Sequence, residues 1–354
     1  MIKLHHNNVL KDTGTKRMSQ LPAKVYHFLR VVENLTPQCF QKVLRTEARS
    51  FLLKDSNPAY ITVQVKEKGR YLFTYKVPES ACAKTLCYNT SASTEGSGSN
   101  DVRVFQLSGL LALFDELTTL AIVNEDDSAR PGVSTTLSAE LAPYGLNNLP
   151  RAGENIDVDV RVIKIGKNFS FLEAEAKIPE SGKIIAIGKH TKYLGGISYL
   201  QSMALGWFLP VTSFASQYFV SSVSSLTRNV EKIKSVEDLV EFDMNEASNE
   251  GSMSVGLQHC NPMKSCHGGF QAMAMEQMAQ NHLAKMQKGS ESYQLQSIAI
   301  DYISRGKGKL TFCTKVTPIN DLLTLVNVRV KGKGQAPISD GVLYFIQNKQ
   351  NSRL

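Results

Sequence analysis

The sequence lacks the features that mark membrane-spanning and metal-binding proteins. Its uninterrupted apolar stretches, such as GLLALF at 109–114, are far shorter than the roughly 18 residues that cross a bilayer. Its six cysteines include no CxxC pair and no spacing typical of a zinc site. We therefore predict neither a transmembrane segment nor a metal centre, and we expect reduced thiols, as in the cytosol or the mitochondrial matrix.

The chain also lacks a cluster of basic and aromatic residues of the kind that binds nucleic acids, so we expect no nucleic-acid partner. Its net charge is +8, but six basic residues and one acid fall within residues 1–31, which alone account for +5. A basic, acid-poor start is typical of a mitochondrial presequence, and equally of a solvated basic tail. We expect a mitochondrial location, with the cytoplasm as the alternative.

What the chain does contain is a tandem repeat of predicted elements. Its 354 residues, 42% hydrophobic and 20% charged, are those of a globular protein of about two domains. In each half, alternating apolar and polar residues predict a pair of strands, a long apolar helix follows, and four β-rich segments complete the unit. The helices are predicted at 107–123 and 268–287, about 160 residues apart. The two domains are therefore copies of one unit.

The repeat divides the chain into four segments. Residues 1–35 form a basic N-terminal extension, 36–195 a first domain, 196–236 a linker with a helix, and 237–354 a second domain. A long helix enclosed by an antiparallel sheet is the hotdog architecture. We therefore expect an α+β fold in which two tandem hotdog domains form a pseudo-dimer.

The second half carries a motif with a chemical use at the start of its long helix. His267-Gly268-Gly269 opens that helix, where backbone N–H groups lack intrahelical partners and glycine allows a ligand to approach them. Such N–H groups can stabilise an oxyanion. Glu276 follows nine residues after His267, about 2.5 helical turns along. A carboxylate there could accept a proton from an attacking water.

With Asn261 six residues before His267, the motif resembles that of the hotdog acyl-CoA thioesterases. The branch is the phenylacetate-pathway and 4-hydroxybenzoyl-CoA thioesterase-like one, which includes animal mitochondrial thioesterase superfamily members. Residues 40–194 resemble the same family, from the helix QLSGLLALFDELTTLAIV to the closing strand GKIIAIGKHTKYL. The resemblance implies that Asp115 is the helical carboxylate and that Ser134 is the hydroxyl that orients water.

Members of this family build each site across two units, which implies one complete site in this chain. In that site Asn261, His267 and Gly268 would face Asp115 and Ser134. Gly268 N–H would polarise the thioester carbonyl, Asp115 would act as general base or nucleophile, and Ser134 and Asn261 would hold the water.

The resemblance implies a second, impaired site, because Gln106-Leu107-Ser108 replaces the His-Gly-Gly motif in the first half. Asn100 would fill its asparagine position, with Asn89 as a rival because an insertion precedes the motif. The remaining members would be Leu107 and Glu276, with Leu295 or Gln296 where the hydroxyl belongs.

Family members bind the nucleotide and phosphates of coenzyme A with a Lys-x-Gly-Lys turn. The matching residues here are Lys164, Gly166, Lys167 and Asn168. The corresponding turn in the second half, residues 317–320, has no lysine. We therefore expect one coenzyme A site per chain, with the thioester as substrate and no cofactor.

The implied function is hydrolysis of medium- or long-chain acyl-CoA by activated water, in fatty acid metabolism. The acyl chain would lie between the two helices, beside Leu111, Phe114, Phe270 and Met273. Hydratase chemistry is disfavoured, because the Asn261-Pro262 pair lacks the Asp and His that a hotdog hydratase carries. The alternative is a catalytically silent, thioesterase-like structural subunit of a larger mitochondrial assembly. A homodimer of pseudo-dimers is a further possible assembly.

Overall fold

The computed structural model describes residues 21–35, 39–51, 59–84, 103–195, 233–245, 249–261, 263–286 and 292–348. Several predictions lie outside these residues. They concern residues 1–20, the asparagines Asn89 and Asn100, and most of the linker, including Trp207 and the helix expected there.

The described residues form four helices and fourteen strands, in the order that the repeat predicts. The helices are α1 Ala23–Leu35, α2 Cys39–Leu44, α3 Leu107–Glu125 and α4 Gly268–Met286. The strands of the first half are β1 Ile61–Glu67, β2 Arg70–Lys76, β3 Ala83–Lys84, β4 Arg103–Val104, β5 Val133–Leu141, β6 Asn155–Ile165, β7 Phe169–Lys177 and β8 Ile184–Tyr193. Those of the second half are β9 Asp243–Asn245, β10 Glu250–Val255, β11 Ser292–Tyr302, β12 Gly308–Pro318, β13 Leu323–Lys331 and β14 Pro337–Asn348.

Twelve strands form one antiparallel sheet that runs through both halves, in the order β1-β2-β6-β7-β8-β5-β11-β14-β13-β12-β10-β9. The second six strands repeat the order of the first six in reverse, as two copies related by a twofold axis require. The copies join where β5 pairs with β11, and Ser138 lies opposite Ala299 at the centre of this pairing. The predicted α+β fold of two tandem hotdog units is therefore confirmed.

The long helices α3 and α4 lie inside the curved sheet and pack against each other. They cross closely at Gly269, where an added Cβ would lie 2.8 Å from Cα of Ala112. A side chain of any size would therefore separate the helices. The crossing brings the beginning of α4 against the middle of α3.

Helix α3 corrects the expectation that no segment reaches membrane-spanning length. By length and composition alone, Leu107–Glu125 is apolar enough to cross a bilayer, but 83% of its apolar window is buried inside the protein. Asp115 and Glu116 interrupt the apolar run, which is why a search for uninterrupted stretches misses it. A helix buried to this extent is typical of the central helix of a protein core.

The second half departs locally from its predicted elements. Alternation of apolar and polar residues predicts the strand pair of this half at 239–247 and 252–260. Within the described part of the first range, Asp243–Asn245 form β9, and Leu239 belongs to a 3₁₀ turn, Glu237–Leu239. The second strand ends at Val255 and is followed by another 3₁₀ turn, Leu257–His259. The first turn precedes the edge strand β9, and the second lies between β10 and α4 in the chain.

The two N-terminal helices pack onto the hotdog units. Lys24 of α1 directs its ammonium group to the backbone oxygens of Asn124 and Asp126, 3.5 and 3.3 Å away at the C-terminus of α3. A cation at this end of a helix interacts favourably with the helix dipole. Helix α2 packs beside the start of α4.

Candidate active site

Asp115 lies in the middle of α3 and faces the first turn of α4. Gly269 N–H donates to its Oδ2 over 3.2 Å, and the Ser134 hydroxyl of β5 donates to its Oδ1 over 3.1 Å. An added Cβ at Gly268 would lie 3.1 Å from Oδ2, so glycine is needed there for space. Tyr302 fixes this turn by donating from its hydroxyl to the Gly268 carbonyl over 2.8 Å. The structure therefore brings Asp115, Ser134 and Gly268 together.

Basic side chains surround the buried Asp115 carboxylate, which is only 4% exposed. Lys192 Nζ and His190 Nε2, both from β8, lie 3.5 Å from its Oδ1. Burial alone would raise the pKa of Asp115, but Lys192 and His267, followed by His190 and Ser134, lower it to well below the usual range. Asp115 is therefore ionised at neutral pH.

His190 connects Ser134 to α3. Its Nε2 lies 3.0 Å from Ser134 Oγ, and its Nδ1 lies 2.7 Å from Thr118 Oγ1. Because Ser134 donates its single proton to Asp115, its oxygen accepts from His190 Nε2–H. The Thr118 hydroxyl lies against Nδ1 and donates to the Phe114 carbonyl. Burial lowers the pKa of His190 to about 3, so the ring is neutral at physiological pH. This chain of hydrogen bonds fixes the direction of the Ser134 hydroxyl.

Lys192 is a buried cation that serves two acceptors. Its ammonium group donates to Thr119 Oγ1 over 2.6 Å and lies against Asp115. Burial lowers its pKa, and the charge of Asp115 opposes that shift. The assignment of roles from sequence missed both His190 and Lys192. The signal was present, because they stand at alternate, inward-facing positions of a strand whose other inward residues are apolar.

His267, which precedes α4, lies between two carboxylates of α3. Its Nδ1 is 3.5 Å from Asp115 Oδ2, and its Nε2 is 2.7 Å from Glu116 Oε1. Glu116 was not predicted as a site residue. Glu116 directly follows Asp115 in α3, so its role could have been recognised only by knowing that the start of α4 packs against that face of α3.

Asn261 lies in the turn that leads into α4. Its Oδ1 accepts hydrogen bonds from Met263 N, Ser265 N and the Ser265 hydroxyl, over 3.0, 3.2 and 3.1 Å. These bonds order the turn before the His-Gly-Gly motif. The water-holding role predicted for Asn261 would fall to its amide nitrogen.

Glu276 occupies the position in α4 that Asp115 occupies in α3. Ser108 N–H, at the beginning of α3, donates to its Oε2 over 3.1 Å, and Gln280 donates to its Oε1 over 3.2 Å. Gln106 turns away and donates to the Lys84 carbonyl. Each carboxylate thus accepts a hydrogen bond from the first turn of the opposite helix.

The surroundings of Glu276 are apolar where those of Asp115 are polar. Leu295 is the counterpart of Ser134, because each residue directly precedes a bulge, in β11 and β5 respectively. Ser134 lies opposite Lys192, whereas Leu295 lies opposite Phe345. The counterpart of His190 is Leu343, by the same pairing. Burial, opposed only by the hydrogen bonds from Ser108, raises the pKa of Glu276 to about 7.

The turn between β6 and β7 presents the predicted coenzyme A residues at the surface. Lys164, Lys167 and Asn168 are exposed. Gly166 N–H donates to the Phe169 carbonyl, and Arg130 donates to the Lys167 carbonyl over 3.0 Å. The lysines are thus free to meet a solvent-borne ligand, and the backbone of the turn is held in place.

The residues predicted to line the acyl chain are all buried, but Phe114 packs against Gly188 of β8 and Phe270 packs against His259. Leu111 and Phe270 are fully inaccessible, Phe114 is 1% exposed and Met273 9%. A hollow of about 450 Å³ lies elsewhere, on the outer face of β12–β14, and none of the predicted site residues line it. Among the described residues, no group of three or more His, Cys, Asp or Glu could hold a metal ion.

Comparison with known proteins relates the chain to thioesterases. It is 36% identical over 89 residues to human acyl-coenzyme A thioesterase 13 and 34% identical to the mouse protein. That match covers 25% of this chain and 59% of each relative, so the chain spans less than two thirds of the relatives' length. No family model matches the sequence.

The structure of a protein from Lactobacillus plantarum described as an oleoyl thioesterase superposes with a TM-score of 0.50. That superposition has 10% identity and covers 80% of this chain and 99% of that one, and it supports the hotdog fold.

Proposed function

We propose that this tandem hotdog chain is an acyl-CoA thioesterase that hydrolyses medium- or long-chain acyl-CoA at one composite site between its two units. The observation that supports this most directly is the 3.2 Å approach of Asp115 Oδ2, from the first unit, to Gly269 N, at the helix start of the second. The similarity to acyl-coenzyme A thioesterase 13 supports the same chemistry.

In the proposed reaction the thioester carbonyl lies at the first turn of α4. Gly268 N–H and the helix dipole stabilise the oxyanion that forms there. Asp115 either takes a proton from water or attacks the carbonyl carbon itself, and the C–S bond then breaks. The lowered pKa keeps Asp115 ionised, as both routes require. In the second route, water then hydrolyses the resulting anhydride.

We assign substrate contacts at both ends of the site, one for coenzyme A and one for the acyl chain. We assign the coenzyme A phosphates to Lys164 and Lys167, since lysines provide point charges for phosphate. The acyl chain enters the seam between α3 and α4, where Met273, with its three rotatable bonds, can repack around it. The second position, around Glu276, lacks the hydroxyl and the cation, and we propose that it does not hydrolyse thioesters.

The alternative is a structural subunit without turnover, in a larger mitochondrial assembly. The tight packing around Asp115 favours it, because both carboxylate oxygens already have protein partners and a substrate must displace some of them. The basic segment 1–31 is consistent with a mitochondrial location for either function.

Replacing Asp115 by Asn tests the assignment. Asparagine retains the size of the side chain but loses its charge and one of its two acceptor oxygens, so we expect kcat/KM on acyl-CoA to fall by about 100-fold or more. Turnover is followed as thiol release from a panel of acyl-CoAs of increasing chain length. Asp127→Asn removes the same charge from an exposed loop position and should leave the rate unchanged.

If the wild-type chain turns over no thioester faster than Asp115→Asn, the enzyme assignment is wrong and the structural alternative stands. If Glu276→Gln abolishes turnover as Asp115→Asn does, while remaining folded, the proposal of a single working site is wrong.

A further inference from the structure

Glu116, the residue after Asp115 on α3, reaches into the same site from the side. Its Oε1 lies 2.7 Å from His267 Nε2 and accepts a second hydrogen bond from Gln41 Nε2 over 3.2 Å. The side chains of Glu116 and His267 are only 12% and 10% exposed. This ion pair between the two units is therefore shielded from solvent and from salt.

The His267 ring is held on several sides. Phe40 of α2 packs on it with ring centroids 4.8 Å apart, and Gly269 N–H donates to its Nδ1 over 3.1 Å. Because Nε2 faces the Glu116 carboxylate, the neutral ring carries its proton on Nε2. Its Nδ1 then faces Asp115. Helix α2 thus supports the pair twice, through Phe40 on the ring and Gln41 on the carboxylate.

The charged groups that face His267 come from α3 and β8. Burial lowers its pKa, but Glu116 and then Asp115 raise it more, and Lys192 opposes them. His190 of β8 is neutral and adds no charge. The balance raises the pKa of His267 above its ordinary value.

We infer that Glu116 is a positioning residue for the proposed hydrolysis: it anchors the His267 ring through Nε2 and holds Nδ1 against Asp115. This inference rests on the proposed function for its catalytic consequence. His267 Nδ1 lies beside Asp115 Oδ2, as Lys192 lies beside Oδ1. Without Glu116 the ring loses its anchor on Nε2 and the carboxylate that most raises its pKa.

The test is an NMR titration of the histidines in the full chain, combined with kinetics. In the wild type we expect His267 to titrate above the ordinary value of about 6.5. In Glu116→Gln, which keeps the shape of the side chain, the midpoint should fall by about one pH unit or more. Glu116→Asp keeps the charge and should retain most of the shift. Asp127→Asn, with the same loss of charge at an exposed site, should leave the midpoint in place.

In the kinetic arm, Glu116→Gln should lower kcat about tenfold at neutral pH, with KM changed much less, because Glu116 is buried and acts through His267. An unchanged His267 midpoint in Glu116→Gln, or a wild-type midpoint at or below about 6.5, would overturn the inference whatever the activity. So would a shifted midpoint with unchanged kcat. If the wild type has no thioesterase activity but the midpoint shifts as expected, the proposed function fails and the ion pair stands.

Discussion

At the scale of single residues, the chain gives two equivalent carboxylates opposite electrostatic environments. Asp115 has a serine hydroxyl, a lysine and two histidines around it, whereas Glu276 has Leu295, Leu343 and Phe345 at the corresponding strand positions. The pKa of Asp115 is lowered by cations, and that of Glu276 is raised to about 7 by burial. One carboxylate is therefore ionised at every physiological pH, and the other titrates near neutrality.

The raised pKa of Glu276 predicts that stability falls as the pH rises. A carboxyl whose folded-state pKa lies above its unfolded value stabilises the fold fully below about pH 4.5, and this contribution is lost as the pH rises through about 7. Glu276→Gln removes the ionisation but keeps an acceptor for Ser108 N–H. We expect the variant to match the wild type near pH 4.5 and to be more stable by roughly 2–3 kcal/mol at pH 8. Urea unfolding at the two pH values measures the difference.

For this comparison, Asp127→Asn is the charge-matched control and should show no such pH dependence. An equal difference in unfolding free energy at both pH values would mean that Glu276 is not titrating in this range.

At the scale of elements, the site depends on how closely α3 and α4 cross. The two glycines at the start of α4 have different roles. Gly269 faces the backbone of Ala112, whereas Gly268 faces the Asp115 carboxylate and Tyr302. Neither has a positive φ, so glycine is required here for space and not for backbone conformation. One glycine sets the distance between the helices, and the other leaves room at the carboxylate.

This difference predicts different outcomes for the two alanine substitutions. Gly269→Ala should destabilise the protein by roughly 1–3 kcal/mol, because its Cβ meets a backbone that can move only if the helices separate. Gly268→Ala should cost less stability but lower kcat/KM strongly, because its methyl group occupies the space beside Asp115 Oδ2. Urea midpoints and acyl-CoA hydrolysis, measured on both variants, compare them. A larger loss of stability in Gly268→Ala would contradict the assignment.

At the scale of the whole molecule, the two units share one sheet and cannot separate without exposing their core. Leu137 and Ile300 face each other across the β5–β11 pairing, and each is only 1% exposed. Each helix start also donates to the carboxylate of the other unit. The units are therefore expected to unfold together.

Ile300→Ala tests this coupling. Loss of the buried side chain should cost about 2–5 kcal/mol, and hydrogen exchange should show that β2 and β10, next to the two opposite edges of the sheet, lose protection together. Asp301→Ala, at the next and exposed position of β11, should change stability by less than about 0.5 kcal/mol. Loss of protection in the second unit alone would show that the halves are independent.

The sequence predicted Asp115, Ser134, Asn261, His267 and Gly268 as one site, and the structure brings Asp115, Ser134, His267 and Gly268 together. It did not predict Glu116, His190 or Lys192. Motif spacing along one chain reports residues that lie at fixed distances within a unit. These three residues act across strands or between units, and no local pattern records which residues they face.

The sequence by itself determined the repeat, the order of elements and the positions of the two helical carboxylates, because hydrophobic periodicity and glycine placement are local properties of the chain. Only the tertiary structure decided that Asp115 lies among cations and Glu276 among apolar side chains. The charge state of a buried group depends on the neighbours that folding brings within a few ångströms, and in this protein those neighbours come from β8, β14 and the opposite unit.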